Sequence, residues 1–269
     1  MTSIDDRWAS GTAYEAYVGR WSRLVAPRFL DWLAVPIGRR WLDVGCGTGV
    51  LTAAILEGGA PASVVGVDPS EAFIEHARRA VPDERARFVV GTAASTGLGE
   101  AEIDAAVAGL VLNFVPDASA ALDELRRVVA PDGLIGGYVW DYAEGMEMMR
   151  RFWDAAAALD PAAERLDEGA RFPIATEAGL RDAFVGAELA EVQVRPIDVP
   201  TVFVDFDDLW QPFLSGTAPG PAYVASLDDE QRAALHDRLR ASVAPEADGT
   251  IRLTARAWAV KGRRPGRMR

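Results

Sequence analysis

Apolar and polar positions follow three successive patterns along the chain. In the first 37 residues Tyr14, Tyr17 and Trp21 recur at three- and four-residue spacing, among Trp8, Phe29 and Trp32, which predicts a helix with an aromatic face. After Pro36 and Gly38 the pattern becomes short apolar runs separated by helical stretches. RWLDVG, SVVGVD, ARFVVG, IDAAVAGLVL and LIGGYVW read as strands. Between them GVLTAAILEGG reads as a helix ended by Gly58 and Gly59, SEAFIEHARRAV as one capped by Ser70, and ASAALDELRRVVAPDG as one stopped by Pro131 and Gly133. Strands this short and uniformly apolar fit burial on both faces, so the alternation predicts an α/β fold with a parallel sheet covered on both sides by helices.

From residue 141 the rhythm changes again. AEGMEMMRRFWDAAAALD and TEAGLRDAFVGAEL read as helices, and AEVQVRPIDVPTVF and TIRLTARAWAVKG as strands with a clearer apolar–polar alternation. These two strands are expected to form a terminal antiparallel pair, split by a helical insertion over 205–244. The reading is one continuous domain in three parts: an N-terminal helical cap (1–37), an α/β core (38–140), and a C-terminal part (141–269) that completes the sheet and adds helical caps.

Composition narrows the partners. The formal net charge is −12, and the terminal KGRRPGRMR holds five of the 28 basic residues, so residues 1–260 carry 23 basic against 40 acidic side chains. Such a body repels phosphate backbones, so no nucleic-acid substrate is expected, and the basic tail reads as a solvated terminus. The single cysteine, Cys46, rules out an intramolecular disulfide or a cysteine metal cluster, and reads as a small buried residue; no metal is expected. The N-terminus lacks a secretory apolar region, and the longest apolar run, 105–115, is too short to span a bilayer, so a cytoplasmic protein without membrane contact is expected. No heptad marks an oligomer interface.

The candidate chemistry lies in LDVGCGTG. The spacing is Gly45-x-Gly47-x-Gly49, whereas a dinucleotide fingerprint needs its third glycine one residue later, where Val50 stands. Asp43 before the turn would repel a pyrophosphate and attract a cationic amino-acid group. Asp68, ending the second strand, is placed to accept hydrogen bonds from two ribose hydroxyls. Together these residues ask for a ligand with a ribose, an ammonium or sulfonium, and no pyrophosphate, which describes S-adenosylmethionine (SAM).

On these residues the chain resembles the class I SAM-dependent methyltransferase family over roughly residues 12–140. The resemblance implies a Rossmann-like, seven-stranded, mostly parallel sheet of order 3-2-1-4-5-7-6 with strand seven antiparallel. It implies SAM as cofactor and S-adenosylhomocysteine as product. Asp43, Gly45, Gly47 and Gly49 would surround the methionine part, Asp68 would hold the ribose and Phe73 would lie against the adenine, with Cys46 and Pro69 also among the cofactor-binding residues. Gly109 and Leu110, in GLVLNFVPD, would lie near the cofactor. YVGRWSR resembles an N-terminal cap, with Arg20 pairing the methionine carboxylate, Tyr17 near the methyl group and Trp21 beside them. One departure is clear: where the family has Gly-Asp-Ala after strand three, this chain has Gly91, Thr92 and Ala93, and a threonine hydroxyl accepts more weakly than a carboxylate.

Methyl transfer from a sulfonium is an in-line displacement that positioning alone accelerates strongly, and a general base is needed only if the methyl acceptor must lose a proton. His76 and His236 read as surface residues, so no histidine offers itself. The catalytic candidates are Asp141 and Tyr142, directly after strand five, with Tyr17 and Asn113 behind them; Asp141 also reads as a loop or cap residue. Asn113 lacks the adjacent prolines of amino-methylating enzymes. The acceptor pocket is expected where cap helices meet the C-terminal edge of the sheet. Its candidate walls are Trp140, Tyr142, Met146, Met149, Trp153, Phe172, Trp210 and Phe213. Aromatic, methionine-rich walls suit a small, largely apolar metabolite methylated on O, N or C. A methyltransferase of protein or RNA, or a SAM-binding protein without turnover, are the alternatives.

Overall fold

The computed structural model describes residues 20–214 and 218–266. Tyr17 and the earlier aromatic residues lie outside the described residues, as does the side chain of Arg20. Helix α1 (Arg20–Leu33) buries Trp21, Val25, Phe29 and Leu33, one per turn. The βα alternation then runs as expected: β1 (Arg40–Val44), α2 (Val50–Gly58), β2 (Ser63–Asp68), α3 (Glu71–Ala80), β3 (Ala86–Val90), β4 (Ile103–Gly109), α4 (Ala118–Val128) and β5 (Val129–Trp140). Ser70 caps α3 by accepting from the Phe73 N–H at 3.3 Å. After α5 (Glu147–Leu159) come a 3₁₀ turn at Pro161–Leu166 and the one-turn α6 (Glu168–Arg171), then α7 (Glu177–Gly186) and β6 (Ala190–Phe203). The insertion holds α8 (Phe206–Trp210), α9 (Pro219–Ser226) and α10 (Asp229–Ser242), and β7 (Ile251–Arg263) follows. No helix among the described residues is long and apolar enough to cross a membrane.

The strands form one seven-stranded sheet of order β3-β2-β1-β4-β5-β7-β6. β1 to β5 are parallel neighbours in register, with Leu42 opposite Val65 on one side and Ala106 on the other, and Ala106 opposite Ile135. β7 is antiparallel: the Asp132 N–H donates to the Arg264 carbonyl at 3.0 Å, and the Asp141 N–H to the Arg256 carbonyl at 2.9 Å, so the partners descend as β5 ascends. This is the sheet the family resemblance implies.

Two boundaries differ from the sequence expectation. β4 ends at Gly109 rather than Leu112, because Leu110 leaves the extended conformation at φ 60°. Pro131 and Gly133 do not stop α4, which ends at Val128; they lie inside β5. The extra strand residues are drawn out by the end of β7, since the Arg264 N–H also donates to the Gly133 carbonyl at 3.0 Å. A partner so far along the chain leaves no local trace. The short helices at 161–171 were likewise not foreseen; Asp160 and Asp167 cap them through the N–H groups of Ala162 and Gly169.

The chain divides into two compact units. The first holds Arg23–Val139, Thr176–Ile197 and the chain from Ala257, and so contains the βα succession. Phe29 meets Tyr138 edge-on at 4.9 Å, and a Cβ on Gly136 would lie 3.0 Å from Leu33, so β5 needs a glycine where α1 packs on it. The second unit holds Trp140–Ala175, Asp198–Arg256 and the chain up to Ser22. Its core is aromatic: Phe152 stacks on Phe213 at 4.1 Å, with Trp153 and Tyr223 edge-on or tilted around them.

Candidate active site

In the first unit the ends of β1 to β4 bring most of the expected cofactor residues together. The β1–α2 turn is held by the Gly45 and Cys46 N–H groups, which donate to the Val67 carbonyl at 2.7 and 3.1 Å. Gly45, Gly47 and Gly49 all have positive φ, at 65°, 51° and 92°, a conformation that costs an L side chain about 1–2 kcal/mol. Gly45 is needed twice over, because its Cβ would lie 2.4 Å from a methyl of Val111. A Cβ on Gly47 would meet nothing within 4 Å, so that face of the turn is open.

The two carboxylates divide the work. Asp68 accepts from the Gly47 N–H at 3.0 Å and from the Ser70 N–H at 2.9 Å, which ties the glycine turn to the end of β2. Burial raises its pKa, and these two N–H groups oppose the rise. Asp43 is 1% exposed. Its Oδ2 accepts from the Thr52 hydroxyl at 2.6 Å, whereas Oδ1 is buried without a partner among the described residues. Burial pushes its pKa up to about 7; the Thr52 hydroxyl opposes that rise and the Asp68 charge adds to it. A buried carboxylate with an unpaired oxygen, beside a second carboxylate, lacks positive charge. The residues present therefore fit a cofactor that brings a cationic group. The Cys46 thiol is buried, and desolvation with the charges of Asp43 and Asp68 pushes its pKa up, so it is no nucleophile.

Around this cradle, the Gly91 N–H donates to the Asp68 carbonyl at 3.1 Å, which brings the end of β3 alongside. Thr92 follows, exposed, and closes a tight turn with Ser95 through reciprocal backbone bonds of 3.1 Å; Ala93 is within that turn. Pro69 is exposed and Phe73 is half-buried on the first turn of α3. Gly109 ends β4 where a Cβ would lie 2.8 Å from the Tyr138 hydroxyl, and Leu110 is buried at φ 60°. Asn113, four residues past the strand, is 8% exposed, and neither polar atom of its amide has a partner among the described residues.

The remaining expected residues belong to the second unit. Asp141 is 2% exposed and anchors a turn: its Oδ1 accepts from the Glu144 N–H at 3.1 Å, and its carbonyl from the Gly145 and Met146 N–H groups. Burial raises its pKa. Tyr142 is buried with its ring 5.7 Å from Phe172. Met146, Met149, Trp140, Trp153 and Phe213 are all nearly or fully buried, and Trp210 lies 6.0 Å from Phe213. Trp21 meets Phe203 edge-on at 5.4 Å. His236 is less of a surface residue than its sequence suggests, because its ring lies edge-on to Phe206 and Trp210 at 5.0 and 5.4 Å.

Sequence reasoning missed Glu168. It is 4% exposed, its Oε2 accepts from the Trp153 indole N–H at 2.6 Å, and burial pushes its pKa up to about 7. An acidic pair beginning a polar EGAR segment carries no local sign of burial. Among the described residues no group of His, Cys, Asp and Glu side chains is arranged to hold a metal ion.

The sheet order defines a Rossmann-like fold, and the glycine turn with its two buried carboxylates lies at the ends of its first two strands. Residues 42–136 match the family model described as "Methyltransferase domain". An uncharacterised methyltransferase of Mycobacterium tuberculosis is 37% identical over 115 residues, which are 43% of this chain and 45% of that protein. Trans-aconitate 2-methyltransferase of Variovorax paradoxus is 32% identical over 146 residues, 54% of this chain and 55% of that one. The chain thus spans about half the length of these relatives. A solved structure of Haemonchus contortus phosphoethanolamine N-methyltransferase 2 in complex with S-adenosyl-L-methionine covers 97% of this chain and 59% of that one with a TM-score of 0.59; at 14% identity this is a likeness of fold. These comparisons support a methyltransferase domain of the class I SAM-dependent type over residues 42–136.

Proposed function

We propose that the protein transfers a methyl group from SAM to an O, N or C nucleophile of a small, largely apolar molecule. The observation that carries this reading is the unpaired Asp43 Oδ1 beside a glycine turn whose open face is at Gly47. When bound, SAM supplies a methyl group already activated on a sulfonium. Asp43 attracts the cationic methionine end, and the open face at Gly47 leaves room for it. Asp68 keeps a second lone pair on each oxygen for the ribose hydroxyls. Phe73 lies against the adenine, with Thr92 and Ala93 at its rim, and Gly109 and Leu110 border the cofactor. Because the electrophile arrives activated, these residues act by orientation, which is worth roughly 7–11 kcal/mol in well-aligned systems. The family resemblance assigns Tyr17, Arg20 and Trp21 to a cap, and the aromatic residues after 140 are the candidates for the acceptor. The carboxyl of Asp141 serves the turn it anchors.

Two features support a small acceptor. The acidic body disfavours RNA, and the C-terminal cap is rich in aromatic and methionine side chains. Calorimetry with SAM tests the cofactor: Gly47→Arg fills the open face and Asp68→Ala removes the ribose acceptor, so each should abolish measurable binding. Unchanged affinity in both rejects the assignment. Incubation with SAM and fractionated cell extract tests the acceptor, with S-adenosylhomocysteine expected from the low-mass fraction. Turnover confined to the protein or RNA fraction rejects the small-molecule reading.

A further inference from the structure

Asn113 differs from the other buried polar groups of the first unit. It is 8% exposed, and both its acceptor Oδ1 and its donor Nδ2 are buried without a partner among the described residues. Each such orphan costs about 1–3 kcal/mol. The loop that carries it is firmly held. The Leu110 N–H donates to the Tyr138 carbonyl at 2.7 Å, the Phe114 N–H to the Val111 carbonyl at 2.8 Å, and Leu112 is 2% exposed. Val111, two residues before Asn113, abuts Gly45 so closely that a Cβ there would lie 2.4 Å from it. A fully unpaired amide is therefore held ready on the loop that borders the cofactor cradle. Of the four catalytic candidates, Asp141 has committed a carboxylate oxygen to its turn and Tyr17 lies outside the described residues.

We infer that Asn113 binds the methyl acceptor, through a neutral edge of that molecule carrying a hydrogen-bond donor and acceptor side by side. A hydroxyl next to a carbonyl, or a carboxamide, has this edge. The assignment rests on the methyltransferase reading above. The complementarity follows from the inventory of the amide: a carboxylate would satisfy Nδ2 and press charge against Oδ1, an ammonium would satisfy Oδ1 alone, and a hydrocarbon would satisfy neither. An amide does not exchange protons at neutral pH, so Asn113 orients the acceptor and selects it. Sites with buried polar groups reject analogues that leave those groups unpaired far more strongly than apolar pockets reject a size mismatch.

The test uses Asn113→Leu, which keeps the branching at Cγ and removes both polar atoms. SAM affinity by calorimetry should stay within about threefold of wild type. S-adenosylhomocysteine formation with the low-mass extract should fall by about 100-fold or more. The thermal midpoint should rise, because an apolar side chain replaces two unpaired polar atoms. If Asn113→Leu fails to fold, Asn113→Asp is the second variant: it keeps an acceptor and loses the donor, and should cut turnover at least about tenfold with SAM binding retained. SAM with a deuterated methyl group marks the product for mass spectrometry, and the two acceptor types are told apart by its fragments. Unchanged turnover in the variants overturns the assignment, as does a tenfold or greater loss of SAM affinity, which would put the amide in the cofactor site. A labelled product without such an edge overturns it too. A wild type that binds no SAM or forms no S-adenosylhomocysteine instead overturns the methyl-transfer reading, and this assignment with it.

Discussion

Glu168→Gln changes one charge and little else, because a glutamine carbonyl can still accept from the Trp153 indole N–H. In the folded protein the carboxyl is pushed from 4.5 up to about 7, chiefly by burial; the Asp167 charge adds to the rise, while the indole bond and the Arg171 charge oppose it. At roughly 1.36 kcal/mol per pKa unit, ionised Glu168 costs the fold about 3 kcal/mol. The sign follows from proton binding. Below 4.5 the carboxyl is neutral in both folded and unfolded chains, so Glu and Gln are equivalent. Between 4.5 and 7 only the unfolded chain ionises, so stability falls as pH rises, and above 7 the full cost is present. Glu168→Gln should therefore stabilise the protein by about 1 kcal/mol at a pH near 5.5 and by about 3 kcal/mol near 8.5. Urea denaturation at the two pH values reads the difference. An equal gain at both would mean that the carboxyl titrates normally. A loss near pH 8.5 would mean that its surroundings favour the anion, and the burial reasoning would be wrong.

Three further outcomes are expected. Gly45→Ala combines a positive φ with overlap on Val111, so it should cost on the order of 2–5 kcal/mol and weaken SAM binding at least tenfold; adding Val111→Ala should recover the packing part, and no recovery would rule the overlap out. Thr52→Val removes the hydroxyl that lowers the Asp43 pKa, so the pH midpoint of SAM affinity should move upward, with tighter binding regained at higher pH; an unmoved midpoint in calorimetry refutes the Asp43 contact. Asp141→Asn should keep turnover within about threefold while Asp141→Ala lowers stability by ~1 kcal/mol, since the side chain acts as a turn acceptor. A hundredfold drop in turnover for Asp141→Asn would make it a proton acceptor instead.

Local pattern determined much of this protein. Short apolar runs, capped helices and three glycines at alternating positions are enough for the βα succession, and they single out Asp43 and Asp68 as the candidate carboxylates of the site. That legibility has a physical cause: strand burial, helix capping and positive φ are demands met by residues near one another in sequence. What tertiary structure alone decided depends on partners far apart in the chain. Arg264 lengthens β5 through its backbone bonds to Asp132 and Gly133. Val111 makes Gly45 obligatory. Glu168 becomes a buried acid only because α6 meets the Trp153 indole. Asp141 and Asn113 looked alike as candidates after two neighbouring strands. Folding engages a carboxylate oxygen of the first in a turn and leaves the amide of the second without a partner, because hydrogen-bond satisfaction is settled by the surroundings of an atom and not by its residue type.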